Sequence, residues 1–226
     1  MFASVAGFDF SLSKPACCLL IDSKLFFYSW PKLSPQYSPQ LSILYRAAGV
    51  HVIDRQEPQF PERNASEVVR AELRRTFCQV KQITDTISPF LNKDTKIAFE
   101  GSSFGSVGDV ALQLTTRRFR LIESLCKYAS LDNVYSYSPI SVKSVAQAAK
   151  KGMTKRDVIE SFIRIGDDCE LRDQLRADKE KFMKRGALNF KEHLDDIIDA
   201  YWVMKTYQVK EEGLIIPGAK PIKSKK

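Results

Sequence analysis

SVAGFDFSLSKPACCLLIDSKLFFYSW, residues 4–30, is the stretch whose reading decides the fold. Ser4 to Asp9 is an apolar run that ends in an acid, and Ala16 to Ile21 is apolar throughout. The turn Asp22-Ser23-Lys24 then leads into Leu25 to Trp30. Short β-branched and aromatic runs separated by tight turns predict an antiparallel meander. Beyond it the period changes. Asn64 can cap a helix, with Glu67 placed to complete a capping box, and Val69, Leu73, Phe77 and Val80 follow at helical spacing. Thr95 to Glu100 predicts a fourth strand, again ending in an acid, and Gly101 to Gly108 a Gly/Ser loop. Asp109 to Tyr128 predicts a helix with Leu112, Phe119, Ile122 and Leu125 inward, and Asn133 to Tyr137 a fifth strand stopped by Pro139. Short helices near Val142 to Lys150 and Lys155 to Ile165 precede a clear last helix, Leu194 to Tyr207, which buries Leu194, Ile197, Ile198, Tyr201 and Met204. This order suits an α/β layered domain, a mixed sheet flanked by helices.

Two segments sit outside that scheme. Residues 31–63 carry Pro31, Pro35, Pro39, Pro58 and Pro61 and predict an irregular excursion with a short helix near Leu41 to Ala48. Residues 166–191 are densely charged and weakly periodic, either a surface helix or a mobile insertion. The expectation is one domain over residues 1–210 with insertions at about 31–63 and 166–191. A basic tail, 211–226, contains Lys220, Lys223, Lys225 and Lys226 and is expected to be ordered only by a partner.

Composition narrows the class. Of 226 residues 44% are apolar and 27% charged, which is globular rather than disordered composition. The net charge of +8 favours a polyanionic partner, because lysines and arginines near phosphates release condensed counterions. Cys17, Cys18, Cys78, Cys126 and Cys169 form no C-x-x-C pair, and only two histidines are present, which argues against zinc. Free thiols in a reducing compartment are the simpler reading. The N-terminus has no basic n-region or long apolar h-region, and no run reaches membrane-spanning length. The protein is expected to be soluble and intracellular, in cytoplasm or nucleoid, with a viral or organellar source compatible.

The positions of the acids carry the chemistry. Asp9 ends the first strand and Glu100 the fourth, while Asp196 and Asp199 share a face of the last helix. If the two strands are neighbours and the helix crosses their ends, four carboxylates converge. Such a cluster calls for a cation, and Mg2+ takes oxygen ligands and completes its shell with substrate phosphate. A pair of such ions about 4 Å apart serves phosphodiester hydrolysis. Each acid alone has a plainer explanation. A strand-end Asp is commonly a turn residue, and Asp195, Asp196 and Asp199 near a helix N-terminus suit its dipole. By spacing, Asp195 serves as well as Asp196.

Gly7-Phe8-Asp9-Phe10-Ser11-Leu12-Ser13 resembles the first strand motif of RuvC-type Holliday junction resolvases. Ile97-Ala98-Phe99-Glu100-Gly101-Ser102-Ser103-Phe104-Gly105 resembles their second, and Asp196-Ile197-Ile198-Asp199-Ala200-Tyr201 their closing helix. Ser138 to Lys143 and Gly152-Met153-Thr154-Lys155 resemble the family's basic segment. The resemblance spans residues 4–205 in order. It implies a ribonuclease H-like fold, a mixed five-stranded sheet with helices on both faces. It implies Asp9, Glu100, Asp196 and Asp199 as ligands of two Mg2+ ions, with Mn2+ as a substitute, and selects Asp196 over Asp195. It also implies homodimers that cut opposed strands of a four-way junction in recombination and repair, with the helix Asp109 to Tyr128 as the dimer face. Ser11 stands where many members have Gly, and the two inserted segments are additions to a minimal member.

For DNA contact the candidates are Lys143, Lys150, Lys151, Lys155 and Arg156, with Arg117, Arg118 and Arg120 as a second group. Phosphate contacts of this kind position DNA without reading sequence. By resemblance Lys143 and Lys155 lie near the scissile phosphate, as catalytic groups. Phe104 is a candidate wedge at a junction, and His193 lies one turn before Asp196. A solvated helix face, a core Phe and a surface His are the competing readings. Competing functions are a nuclease of the same fold acting on flaps, forks or RNA–DNA hybrids, and a non-catalytic binder of branched DNA, which would have lost an acid. An ATPase of the actin-like superfold would want more phosphate loops than Gly101 to Gly108 offers.

Overall fold

Asp22 and Ser23 both take positive φ, 47° and 64°, the type I′ geometry whose twist matches that of the flanking strands. That turn sets the register Ile21↔Lys24 between β2 (Ala16–Ile21) and β3 (Lys24–Ser29), and β2 pairs antiparallel with β1 (Val5–Asp9) on its other side. The computed structural model describes residues 1–12, 14–31, 43, 45–55, 59, 64–101, 109–147, 154–177, 183, 184, 187, 188 and 194–217. The meander continues into parallel pairing: β1 beside β5 (Lys96–Glu100), and β5 beside β6 (Val134–Tyr137). A sixth strand, β4 (Val50–Val52), lies parallel to β3 and closes the order β4-β3-β2-β1-β5-β6.

The expected mixed sheet flanked by helices is therefore present, with six strands where five were expected. β4 comes from the proline-rich excursion, and three residues are too short to show a period of two. Residues 45–47 are helical, inside the predicted short helix.

Helices cover both faces. On one lie α1 (Ala65–Ile87) and α2 (Asp109–Leu125), enclosing Phe8, Leu19, Trp30, Ile83, Ile97, Phe99 and Leu121. Phe8 and Phe99, on neighbouring strands, stack with centroids 5.1 Å apart. The predicted cap is real: Asn64 accepts from the Glu67 N–H. On the other face lie α3 (Pro139–Val145), α4 (Lys155–Ile165), α5 (Glu170–Ala177) and α6 (Leu194–Glu211). α5 and the two-residue strands β7 (Met183–Lys184) and β8 (Ala187–Leu188) form the described part of the charged segment. Helix α6 is buried nearly all round, from Leu194 to Gln208, because it is sandwiched between the sheet and the other helices of that face.

Two expectations fail on the α1/α2 side. Leu112 and Phe119 were expected inward and are exposed, as are Val69, Leu73 and Phe77 of the apolar stripe on α1. Leu125 and Val80 are buried as expected, together with Leu121 and Ile83, and the exposed residues leave an apolar face outward. All five cysteines are free. Cys17 and Cys18 are fully buried, and burial pushes both thiols well above their ordinary value.

Candidate active site

Parallel pairing of β1 with β5, with Phe8 opposite Phe99, puts Asp9 and Glu100 side by side at the carboxyl ends of neighbouring strands. The last helix reaches them through a close crossing at Gly7. A Cβ on Gly7 would stand 2.5 Å from both the Ala200 carbonyl oxygen and the Met204 nitrogen. Only a glycine lets the strand touch the helix backbone, and that contact carries the first turns of α6, with Asp196 and Asp199, over the strand ends. A cleft of about 440 Å³ results, lined among others by Asp9, Glu100, Asp196 and Asp199. Lys143, Lys155 and Arg118 line it too.

Asp195 is not in that lining. It faces lysines: Lys155 Nζ donates to Asp195 Oδ2, and Lys14 Nζ lies 3.5 Å from Oδ1. Lys14 Nζ is also 3.1 Å from Asp196 Oδ2, and Lys155 Nζ is 3.9 Å from Asp196 Oδ1. Burial and then the charges of Asp199, Asp196 and Glu100 hold the Asp9 carboxyl well above the usual range. Burial also raises Glu100, against the pull of Lys143 and Lys155. Asp196 is raised by burial and by Asp195, with the two lysines opposing. Burial and Glu100 push Asp199 up to about 7. For Lys155 burial works downward, and the Asp195 hydrogen bond with the charges of Asp195, Asp196 and Asp199 outweighs it, so its pKa is raised.

These shifts have a measurable sign. Asp199 binds its proton more tightly folded than unfolded, so its contribution to stability is fully present below its ordinary value of 3.8 and is lost as pH rises to about 7. Without divalent ions, the protein should lose on the order of 2 kcal/mol from this group between pH 4 and 7.5, after discounting for partial exposure. Urea denaturation in EDTA at both pH values should show that loss, and Asp199→Asn should remove most of it. A loss unchanged in the variant would assign it elsewhere.

The expected carboxylates thus meet around one cleft, with Asp196 rather than Asp195 on its wall. Among the described residues, however, no three His, Cys, Asp or Glu side chains are grouped tightly enough to hold a metal ion. Lys143, Lys155 and Arg156 are exposed at or beside the cleft, Arg156 3.7 Å from Glu160. Arg118 donates to the Glu100 carbonyl at 2.9 Å. Arg120 is exposed and pairs with Glu123 at 2.8 Å. Arg117 departs from the expectation of DNA contact. It is buried and bonded to Glu72 and, at 2.9 Å, to Gln79 Oε1, so it ties α2 to α1. Phe104, Lys150, Lys151 and His193 lie outside the described residues. The group missed in the sequence is Lys14. Its signal was its place, the sole basic residue between Asp9 and Lys24.

No protein-family model matches the chain, and no curated protein matches it. Among solved structures it is similar to Thermus thermophilus RuvC, at 15% identity and a TM-score of 0.45 over 92% of this chain and 96% of that one. It is similar to T. thermophilus RuvC in complex with Holliday junction substrate, at 15% identity and 0.46 over 90% and 92%. It is also similar to the yeast mitochondrial Holliday junction resolvase Ydc2, at 12% identity and 0.46 over 92% and 81%.

Proposed function

We propose that this chain is a metal-dependent endonuclease acting on branched DNA, foremost on four-way junctions. The observation that carries the reading is the gathering of Asp9, Glu100, Asp196 and Asp199 around one cleft whose wall also holds Lys143, Lys155 and Arg118. A hard divalent cation suits this site in donor chemistry, four carboxylates each raised by burial, with repulsion from the other cleft acids adding at Asp9 and Asp199. Asp9, Glu100, Asp196 and Asp199 would hold it, by the closing of side chains that now stand apart. Mg2+ bound there supplies charge neutralisation and Lewis acidity for phosphodiester hydrolysis.

The chain's own groups do the rest. Lys143 and Lys155 present ammonium groups beside the acids, where they hold a phosphate and offset charge that develops on it. Arg118 braces the end of β5 through the Glu100 carbonyl. A non-catalytic DNA binder would have no need of four acids in one cleft, and all four are there. A labelled synthetic four-way junction, incubated with the protein and Mg2+ beside matched duplex and flap substrates, tests the reading. Paired symmetric nicks in the junction alone are expected. Equal cutting of flaps or duplex would keep the nuclease and remove junction selectivity, and binding without nicks would sink catalysis.

The same reading takes the protein as a homodimer, since two active sites suit a nearly two-fold substrate. The outward apolar face of α2 with its neighbour α1 supports it: Leu112 and Phe119 on α2, and Leu73 and Phe77 on α1, are each at least 60% exposed. Phe119→Asp should weaken the dimer about thirtyfold or more, the loss of one central anchor of about 2 kcal/mol. Sedimentation equilibrium reads this directly. A variant as dimeric as the parent would move the interface off this helix.

A further inference from the structure

Lys14 is held where it is by its own loop. Its backbone N–H donates to Ser11 Oγ at 2.8 Å. The intervening Leu12 carbonyl accepts from Arg55 Nη1 at 2.5 Å and from Gln79 Nε2 at 3.5 Å. Leu12 is thereby pinned by Arg55 and by Gln79 of α1, and the Lys14 side chain meets α6. There it meets Lys155 across two aspartates. Lys14 Nζ is 3.5 Å from Asp195 Oδ1 and 3.1 Å from Asp196 Oδ2, while Lys155 Nζ bonds Asp195 Oδ2 and stands 3.9 Å from Asp196 Oδ1. Each lysine touches one oxygen of each aspartate, which closes a ring of two cations and two anions.

The ring divides the acids into two classes. The Asp195 and Asp196 side chains are 7% and 5% exposed, and their charge is met by ammonium groups. Asp9, Glu100 and Asp199 form no ion pair among the described residues, and their charges bear on one another. Of the acids, Asp196 alone belongs to both the ring and the cleft wall. The two lysines also differ. Lys155 is more than half exposed, at 59%, whereas Lys14 is 25% exposed and sits on the Asp196 oxygen that Lys155 leaves free.

We infer that Lys14 is a built-in counter-ion that competes with a divalent cation for Asp196, so that filling the site requires Lys14 to give up that carboxylate. The inference rests on the metal reading above and goes beyond it in naming the group that sets the affinity. The reasoning is electrostatic. A lysine ammonium is a compact point charge on a flexible stem, able to leave without unfolding its loop. An ammonium that stayed within a few ångströms of a divalent ion would repel it strongly in so buried a place. Holding Asp196 against Lys14 therefore costs the metal affinity, and removing the ammonium returns it.

Isothermal titration of Mg2+ into the protein without DNA, at fixed ionic strength, tests this. Lys14→Gln should bind Mg2+ about tenfold more tightly than the parent, and Lys14→Arg, which keeps the charge, should stay within about twofold of it. In EDTA the thermal midpoint of Lys14→Gln should lie below the parent's, and saturating Mg2+ should close the gap. If the parent binds Mg2+ and Lys14→Gln binds it equally or more weakly, the counter-ion inference is overturned while the metal reading stands. If neither protein binds Mg2+, both are overturned.

Discussion

Replacing Asp9 by Asn is expected to lower the rate of junction nicking by about a thousandfold or more, while junction binding persists. The size follows from the position. Asp9 feels the charge of all three other acids, and its carboxyl is held up by burial and then by Asp199, Asp196 and Glu100. Losing several kcal/mol of charge stabilisation at the reacting phosphate corresponds, at about 1.4 kcal/mol per factor of ten, to that loss of rate. The amide keeps the shape and removes one of the clustered charges, so the metal-free fold should become more stable, not less. Single-turnover cleavage and gel retardation on the same junction read the two halves apart. Cleavage within about tenfold of the parent would remove Asp9 from the chemistry, and loss of binding together with cleavage would point to a misfolded variant.

Gly7→Ala should be strongly damaging for the addition of a single methyl. The added Cβ would stand 2.5 Å from the Ala200 oxygen and the Met204 nitrogen and 2.6 Å from the Met204 Cβ. Two of these are backbone atoms of a helix buried on every side, so neither a rotamer change nor a surface shift relieves the overlap. Overpacking in a dense core costs about 1–3 kcal/mol, and with the helix backbone as the obstacle the upper end, about 3 kcal/mol, is expected. The alternative to unfolding is for α6 to back away, which would carry Asp196 and Asp199 from Asp9 and silence cleavage. Urea denaturation and junction cleavage on the same preparation measure both. A variant within 0.5 kcal/mol of the parent and fully active would mean that the crossing is looser than described.

What could be read in the sequence follows from what local pattern encodes. Asp9 and Glu100 were legible because each closes an apolar strand-length run, whereas their adjacency was only a condition there, met by the parallel pairing of β1 and β5. Asp196 and Asp199 were legible from helical spacing, although spacing could not choose between Asp195 and Asp196. The way α6 packs over the strand ends separates them, with Asp196 on the cleft lining and Asp195 off it. Arg117 was misread for the same reason. Arg117-Arg118-Phe119-Arg120 looks like a basic patch, and its first member is buried only because Glu72 and Gln79 arrive from another helix. Leu112 and Phe119 follow an apolar helical period yet face outward. Periodicity marks a face, and cannot say whether the same chain covers it. β4 was illegible because its strand pairing comes from β3, not from its own three residues.

The Gly7 crossing joins Gly7 to Met204, 197 positions further along the chain. During synthesis, residues 1–147 can lay down all six strands of the main sheet with Asp9 and Glu100, but the other two cleft carboxylates arrive only with α6. A nascent or truncated chain ending before residue 194 has half the acids and no cleft roof. Closing a loop of that length is slow compared with local folding, so the cleft is completed only by the last docking event. On the proposed nuclease reading, an unfinished copy would bring no cutting activity to the nucleic acid around it.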